Sequence, residues 1–145
     1  MDYAEKIKNL ITRVYGRTAT IYPQGKMFIV QISSKAIINN IKEFLIWDSN
    51  KTYSVQLKNP IDKYSKNFLK GFCRGLIKAD GWITKNNLMI SCTSDELMND
   101  LSKSLEILKL PHLKTSWKRK DERKRQIALF FNKENTKKFL EIVHL

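Results

Sequence analysis

An order of helix, hairpin and helix occurs twice along this chain of 145 residues. Residues 3–46 and residues 95–143 each begin with apolar side chains at helical spacing, continue with two β-rich runs that a turn separates, and end in a second helical pattern. The two copies share this pattern more than they share residue identity. The repeat predicts an α+β protein.

The first copy is predicted to bury one face of each of its elements. Its first helix spans residues 4–14, its hairpin turns at Gln24-Gly25, and Ser34 can cap its second helix. The residues predicted to face the core are Ile7, Leu10, Ile11 and Val14 on the first helix, Phe28, Val30 and Ile32 on the hairpin, and Ile37, Ile38, Ile41, Phe44 and Leu45 on the second helix.

The second copy has more in front of it than the first. A helix predicted over residues 66–79 and a short hairpin over residues 81–94 precede its leucine-rich helix, its own hairpin and its last helix, residues 134–143. Between the copies, residues 47–65 are polar and contain Pro60, which is typical of a linker with one short strand or turn.

The helix predicted over residues 66–79 carries a pair of glycines and ends at an acid. Gly71 and Gly75 lie four residues apart, although glycine costs a helix about 1 kcal/mol relative to alanine. Two glycines on one side suggest that another helix backbone approaches closely. Asp80 stands at the negative end of the helix dipole, where an acid is unfavourable unless a cation or a metal compensates it.

The net charge of +13 favours a polyanionic partner, and nucleic acid ahead of a membrane surface. Residues 114–125, "KTSWKRKDERKR", hold seven basic and two acidic residues and are predicted to form the tip of a hairpin. No stretch has the pattern of a signal peptide or a membrane span, so a soluble, cytoplasmic protein is expected. Cys73 and Cys92 form no C-x-x-C pair, which argues against zinc or a disulfide, and both are predicted to be buried.

The candidate nucleic-acid contacts lie on the predicted hairpins. The basic residues are interpreted as phosphate contacts, whereas Gln126 and Arg119 are candidates for base edges. Trp82 could equally face the core. The candidates are Trp82, Thr84, Lys85, Asn87, Lys114, Trp117, Lys118, Arg119, Lys120, Arg123, Lys124, Arg125 and Gln126, with Arg17, Thr18, Thr20, Tyr22, Gln24 and Lys26 in the first copy.

The segment "RGLIKADG", residues 74–81, resembles the signature of the LAGLIDADG homing endonucleases. Gly75, Leu76, Ile77, Ala79, Asp80 and Gly81 agree with that motif in register. The order helix, hairpin, helix, hairpin, helix over residues 66–145 is similar to one half-domain of the family, αββαββα. Residues 3–46 resemble the last three elements of a preceding half-domain. The resemblance therefore divides the chain into a truncated half-domain with linker, residues 1–60, and a complete half-domain, residues 61–145.

The resemblance implies a curved antiparallel sheet in the major groove of duplex DNA and two motif helices packed at a twofold axis. It implies that Asp80 binds a divalent metal, Mg²⁺ or a similar ion, with the Ala79 carbonyl as a second ligand. A lysine near the scissile phosphate is usual in the family, and Lys118 or Lys114 could serve. The residues expected to pack the motif helices together are Gly71, Phe72, Gly75 and Leu76.

Two departures from the family pattern leave the function open. Lys78 stands where the family has its first acid, and the chain has one motif where tandem members have two. A homodimer could supply two Asp80 carboxylates and act as a metal-dependent DNA endonuclease. Alternatively, the protein binds DNA as a regulator without cleaving it, or binds RNA as a splicing helper.

Overall fold

The structure, a computed structural model, describes residues 2–49, 51–84, 86–117 and 126–143. Its internal contacts divide the chain into two compact units, Met1–Lys42 and Glu43–Leu145. No helix of the described residues has the length and apolar character that crossing a membrane requires.

The first unit has the predicted helix, hairpin and helix. It consists of α1 (Asp2–Tyr15), an antiparallel hairpin of β1 (Thr20–Gln24) and β2 (Met27–Gln31), and α2 (Lys35–Phe44), whose last two residues count with the second unit. Gly25 adopts a positive φ of 60°, as the tight turn between the strands requires. Ser34 Oγ accepts a hydrogen bond from the Ile37 N–H at 3.4 Å, at the start of α2.

The prediction that the first copy buries all its apolar faces is wrong. The buried apolar residues of this unit are Ala4, Ala19 and Ile37, whereas Val14 is 59% exposed. Two helices and one hairpin offer too little surface to cover one another. Other residues that were predicted to face the core but are exposed are Leu10, Phe28, Ile38, Ile41 and Phe44.

The second unit contains the predicted αββαββα order. Its elements are β3 (Leu45–Ile46), α3 (Lys51–Ser54), β4 (Gln56–Leu57), a 3₁₀ turn (Ile61–Lys63), α4 (Lys66–Asp80), β5 (Gly81–Thr84), β6 (Asn87–Cys92), α5 (Asp95–Ile107), β7 (Leu113–Trp117), β8 (Gln126–Phe131) and α6 (Lys133–Val143). The strands β5, β6, β8 and β7 form one antiparallel sheet in that order.

One face of this sheet is covered by α4, α5 and α6. Alternate residues of the central strands enter the core with the apolar side of each helix, as the period of two along a strand dictates. The largest fully buried side chains include Leu69, Leu88, Ile90, Met98, Leu101, Leu105, Leu129, Phe131 and Phe139. This core leaves the opposite face of the sheet without a helical layer from its own unit.

The segment predicted as a linker is part of the second unit. Leu57 is buried in the core, and its N–H donates to Asp100 Oδ2 at 2.8 Å. Ser94 Oγ donates to the Val55 carbonyl at 2.6 Å, and the ring of Tyr64 stacks on Phe68. These contacts join the segment to α4 and α5, so it belongs to the compact unit that begins at Glu43.

Candidate nucleic-acid interface and metal-binding acid

The register of the sheet decides which side chains point away from the helices. Residues directly opposite each other on neighbouring strands project to the same face. Leu88, Leu129 and Phe131 are buried on the helical side, so their neighbours along each strand project to the other side. We call this side the outer face; it comprises Trp82, Thr84, Asn87, Met89, Ser91, Leu113, Thr115, Trp117, Gln126, Ala128 and Phe130.

The outer face brings together five of the residues predicted to contact nucleic acid. These are Trp82, Thr84, Asn87, Trp117 and Gln126. Trp82 is 42% exposed, so of its two predicted positions the structure shows the one that points away from the core. Gln126 Nε2 donates to Ser91 Oγ at 2.8 Å, which orients the amide on the sheet surface.

Sequence reasoning missed Leu113, Thr115 and Phe130 on the outer face. The alternation in residues 113–117 could have revealed the first two, because every second residue of a strand shares a face. The same alternation applies to Phe130, because Ile127, Leu129 and Phe131 are predicted to alternate inward and are buried in the structure.

Lys114 does not belong to the outer face. It pairs with Leu129 and therefore projects to the helical side, where its Nζ donates to Asn99 Oδ1 of α5. The prediction that Lys114 contacts nucleic acid from the sheet is corrected by this register. The other basic candidates, Lys85, Lys118, Arg119, Lys120, Arg123, Lys124 and Arg125, lie outside the described residues.

In the first unit, the hairpin separates its predicted contacts in the same way. Ile21 and Phe28 line a cavity with Glu5 and Lys8 of α1, so the paired residues between them project away from α1. The residues that project away are Tyr22, Gln24, Met27, Ile29 and Gln31, whereas Thr20 lines the same cavity as Ile21. Arg17 and Thr18 precede β1, and Lys26 lies in the turn.

Asp80 is the last residue of α4 and is exposed. Ser65 caps the other end of this helix, where its Oγ accepts the Phe68 N–H at 3.2 Å. Among the described residues, no side chain forms an ion pair or hydrogen bond with the Asp80 carboxylate. The carboxylate and the last helical carbonyls thus form a negative point that is open to solvent.

Gly81 sets the direction in which the chain leaves this acid. Its N–H donates to the Ile77 carbonyl, and β5 begins at Gly81 itself. A Cβ at residue 81 would lie 2.5 Å from that carbonyl oxygen, closer than real Cβ atoms approach. Only glycine therefore allows the helix to pass directly into the strand and place Asp80 at the edge of the sheet.

Gly71 and Gly75 lie on the side of α4 that faces away from the core. Leu69, Cys73 and Ile77 occupy the buried side of the helix. No described heavy atom lies within 4 Å of a Cβ built at either glycine, so none of the described residues requires a glycine there. Phe72 and Leu76, the other predicted packing residues, are half-buried at the edge of the core.

The donors at the end of α4 suit a hard divalent cation. Mg²⁺ takes oxygen ligands and is commonly held by one or two carboxylates, with waters and substrate phosphates completing its shell. Asp80 and the Ala79 carbonyl supply oxygens of this kind. The described residues contain no group of three or more His, Cys, Asp or Glu side chains that could hold a metal ion.

Two cysteines and a histidine of the second unit are buried or hydrogen-bonded within the fold. Burial raises the pKa of Cys73 to about 12, which keeps its thiol protonated and unreactive. Cys92 is only half-buried, which corrects its predicted burial. The ring of His112 is held by Ser102 Oγ at 2.7 Å from Nε2 and by the Leu110 carbonyl at 3.0 Å from Nδ1.

The model of a known family, the LAGLIDADG-like domain, matches residues 67–144, more than half of the chain. The chain belongs to this family. The match to the LAGLIDADG-like domain covers α4 to α6 and so confirms the predicted family for the second unit.

A solved structure is similar to nearly the whole length of this LAGLIDADG-like chain. Its title is "Structures and dynamics of mesophilic variants from the homing endonuclease I-DmoI"; the TM-score is 0.68, and the alignment covers 97% of this chain and 70% of that chain. At 16% identity this likeness shows the fold, which is the predicted α+β homing-endonuclease fold. A search of curated proteins found no match.

Proposed function

We propose that this LAGLIDADG-like protein binds duplex DNA and hydrolyses phosphodiester bonds with a divalent metal ion, as a homodimer. The observation that carries the proposal is the Asp80 carboxylate, exposed at the end of α4 and beside the first strand of an uncovered sheet face. An acid that no described residue neutralises is costly to keep at a helix C-terminus unless a cation binds there.

Charge and shape support duplex DNA as the ligand. The net charge of +13 favours binding to a polyanion such as DNA. A sheet that has helices on one face can place strands of its open face in the major groove. The basic residues 118–125 connect β7 to β8, and Lys85 connects β5 to β6. Because β6 and β8 are antiparallel, their first residues, Asn87 and Gln126, which follow these basic segments in sequence, lie at opposite ends of the sheet.

In this proposal each residue has one role. Asp80 and the Ala79 carbonyl hold the metal ion, which when bound activates a water molecule and stabilises the leaving oxygen. Lys118 neutralises charge at the scissile phosphate. The basic connections bind phosphates, and the outer face contacts base edges.

The homodimer is proposed because one chain supplies one such acid. Gly71 and Gly75 present an open helix face, and small residues four apart allow a second helix backbone to approach. Two α4 helices packed through these glycines would bring their C-terminal ends, and hence two Asp80 carboxylates, close together.

The test is Mg²⁺-dependent cleavage of a duplex library by the wild type, Asp80→Asn and Asp62→Asn. Asp62 is an equally exposed acid in the 3₁₀ turn, so its variant is matched in charge. We expect Asp80→Asn to lose cleavage by at least about 100-fold while retaining affinity, and Asp62→Asn to behave as the wild type. Unchanged cleavage by Asp80→Asn would remove this residue from the mechanism.

A second candidate function is DNA binding without cleavage. The presence of one motif acid per chain favours binding without cleavage. A strict monomer would supply one Asp80 carboxylate to the metal, whereas the proposed nuclease uses two. Light scattering of the protein with and without duplex DNA separates the two candidates: a monomer that never nicks DNA supports this reading, and a dimer supports the nuclease. Structured RNA at the same salt concentration tests the RNA-binding alternative.

A further inference from the structure

We infer that the DNA read by this protein is rich in A·T pairs and that thymine methyl groups are part of what the sheet recognises. The inference rests on the proposed binding of duplex DNA. It concerns the chemistry of the outer face, which differs from the basic character of the whole chain.

The outer face of the second unit, as far as it is described, has no charged side chain. Its polar members are an asparagine, a glutamine, two threonines and a serine, namely Asn87, Gln126, Thr84, Thr115 and Ser91. Its other members are apolar: Trp82, Met89, Leu113, Trp117, Ala128 and Phe130. Ala128 is fully buried beneath its neighbours, and the members that are exposed are Trp82, Thr84, Leu113, Thr115 and Trp117.

The hairpin of the first unit shows the same chemistry independently. The residues of β1 and β2 that project away from α1 are Tyr22, Gln24, Met27, Ile29 and Gln31. None of these described residues is charged, although Arg17 and Lys26 flank the strands. In both units, therefore, the described outward faces of the strands are neutral, and the neighbouring basic residues lie in sequence beyond the strand ends, apart from Lys114 on the helical side of β7.

Neutral amides and apolar side chains suit the A·T base pair. In the major groove, arginine or lysine reads guanine, glutamate or aspartate accepts from cytosine, asparagine or glutamine reads adenine, and apolar groups contact the thymine methyl. The two faces offer amides and apolar groups but neither basic nor acidic side chains within the described residues. Gln126 is pre-oriented by Ser91, which lowers the entropy cost of an adenine contact.

Selection from a library of random duplexes at fixed salt tests the base preference. The selected duplex is then made with deoxyuridine in place of thymidine, which removes only the C5 methyl groups. We expect an A·T-rich sequence and a Kd that rises on the order of tenfold with uracil, as the loss of a few buried methyl contacts implies. A G·C-rich duplex with 5-methylcytosine should bind more tightly than its unmethylated form.

A pair of variants links this effect to the outer face. Trp82→Ala should reduce the difference between thymine and uracil duplexes, and Thr115→Ala provides a second exposed position if the first variant does not fold. Ile107→Ala is the control, because Ile107 is an exposed apolar residue on α5. Circular dichroism verifies that each variant is folded.

The outcomes separate this inference from the function on which it rests. If duplexes bind but the selected sequence is G·C-rich, or uracil and thymine duplexes bind equally, the inference is overturned and DNA binding stands. It is also overturned if the outer-face variants keep the full thymine preference. If no duplex binds at all, the proposed function fails, and the inference fails with it.

Discussion

At the scale of single residues, the three glycines of the motif segment differ in whether the fold has room for a side chain. Gly71 and Gly75 lie on an open helix face, whereas a Cβ at Gly81 would clash with Ile77. We expect Gly71→Ala and Gly75→Ala each to stabilise the isolated chain by about 0.5–1 kcal/mol, since alanine is the better helix former. Gly81→Ala should destabilise it by about 1–3 kcal/mol. Urea unfolding at a concentration where the protein is monomeric measures all three.

The same glycine variants test the dimer. If α4 packs on a second copy through this face, an added methyl group separates the helix backbones and the double variant should shift the mass in solution towards the monomer. A double variant that is more stable to urea but has the dimer mass of the wild type would contradict packing through Gly71 and Gly75.

Asp100 gives a prediction on pH. Burial raises the pKa of the Asp100 carboxyl, while its bond to the Leu57 N–H and the charge of Lys103 partly lower it. Since the folded-state pKa is raised, the unfolded chain loses its proton first, and the wild type loses stability as pH rises from about 4 through the folded pKa. Asp100→Asn keeps a hydrogen-bond acceptor without the charge. Its free energy of unfolding should therefore increase relative to that of the wild type as pH rises over this range.

The control for Asp100 separates charge from hydrogen bonding. Asp100→Ala leaves the Leu57 N–H without an acceptor and should cost about 1–3 kcal/mol at low pH, where the wild-type carboxyl is protonated in both states. Because the alanine variant also lacks the titrating group, this cost should shrink as pH rises, while the difference between Asp100→Ala and Asp100→Asn stays constant. Urea unfolding between pH 3 and 7 measures the three proteins. A difference between wild type and Asp100→Asn that does not change with pH would show that ionisation of this group has no part in stability.

At the scale of elements, Ser94 joins the start of α5 to the segment before α4. Its buried Oγ accepts from the Leu97 N–H and donates to the Val55 carbonyl, so Ser94→Ala leaves two groups without partners. We expect a loss of about 2–3 kcal/mol. Ser65→Ala, which removes only the exposed cap of α4, should cost about 1 kcal/mol. Equal losses in thermal or urea unfolding would refute the structural role of the bond to Val55.

Elements also show what the sequence could predict. The helix predicted over residues 66–79 is found as Lys66–Asp80, because its apolar period is long and because Ser65 and Gly81 cap its two ends. One short strand or turn was predicted within residues 47–65, and β4 lies there, but its pairing with β3 was not predictable, since it depends on distant partners such as Asp100 and Ser94. Likewise, alternation predicts which residues of one strand share a face, whereas only the observed register shows that Met89 lies beside Phe130.

At the scale of the whole molecule, burial is distributed unequally between the two units. The second unit has one continuous core that draws residues from α4, α5, α6 and the sheet. The first unit buries only Ala4, Ala19 and Ile37 among its described apolar residues. Periodicity identified the apolar faces in both units, but it cannot tell whether a layer exists to cover them.

We therefore expect a fragment of residues 43–145 to fold cooperatively on its own, and a fragment of residues 1–46 not to do so. The stability of a domain comes mainly from buried apolar surface, and three small or medium side chains cannot offset the conformational entropy of a 46-residue chain. Urea unfolding followed by circular dichroism tests both fragments. A sigmoidal transition for residues 1–46 alone would contradict the prediction, and a gradual one for residues 43–145 would show that its core depends on the first unit.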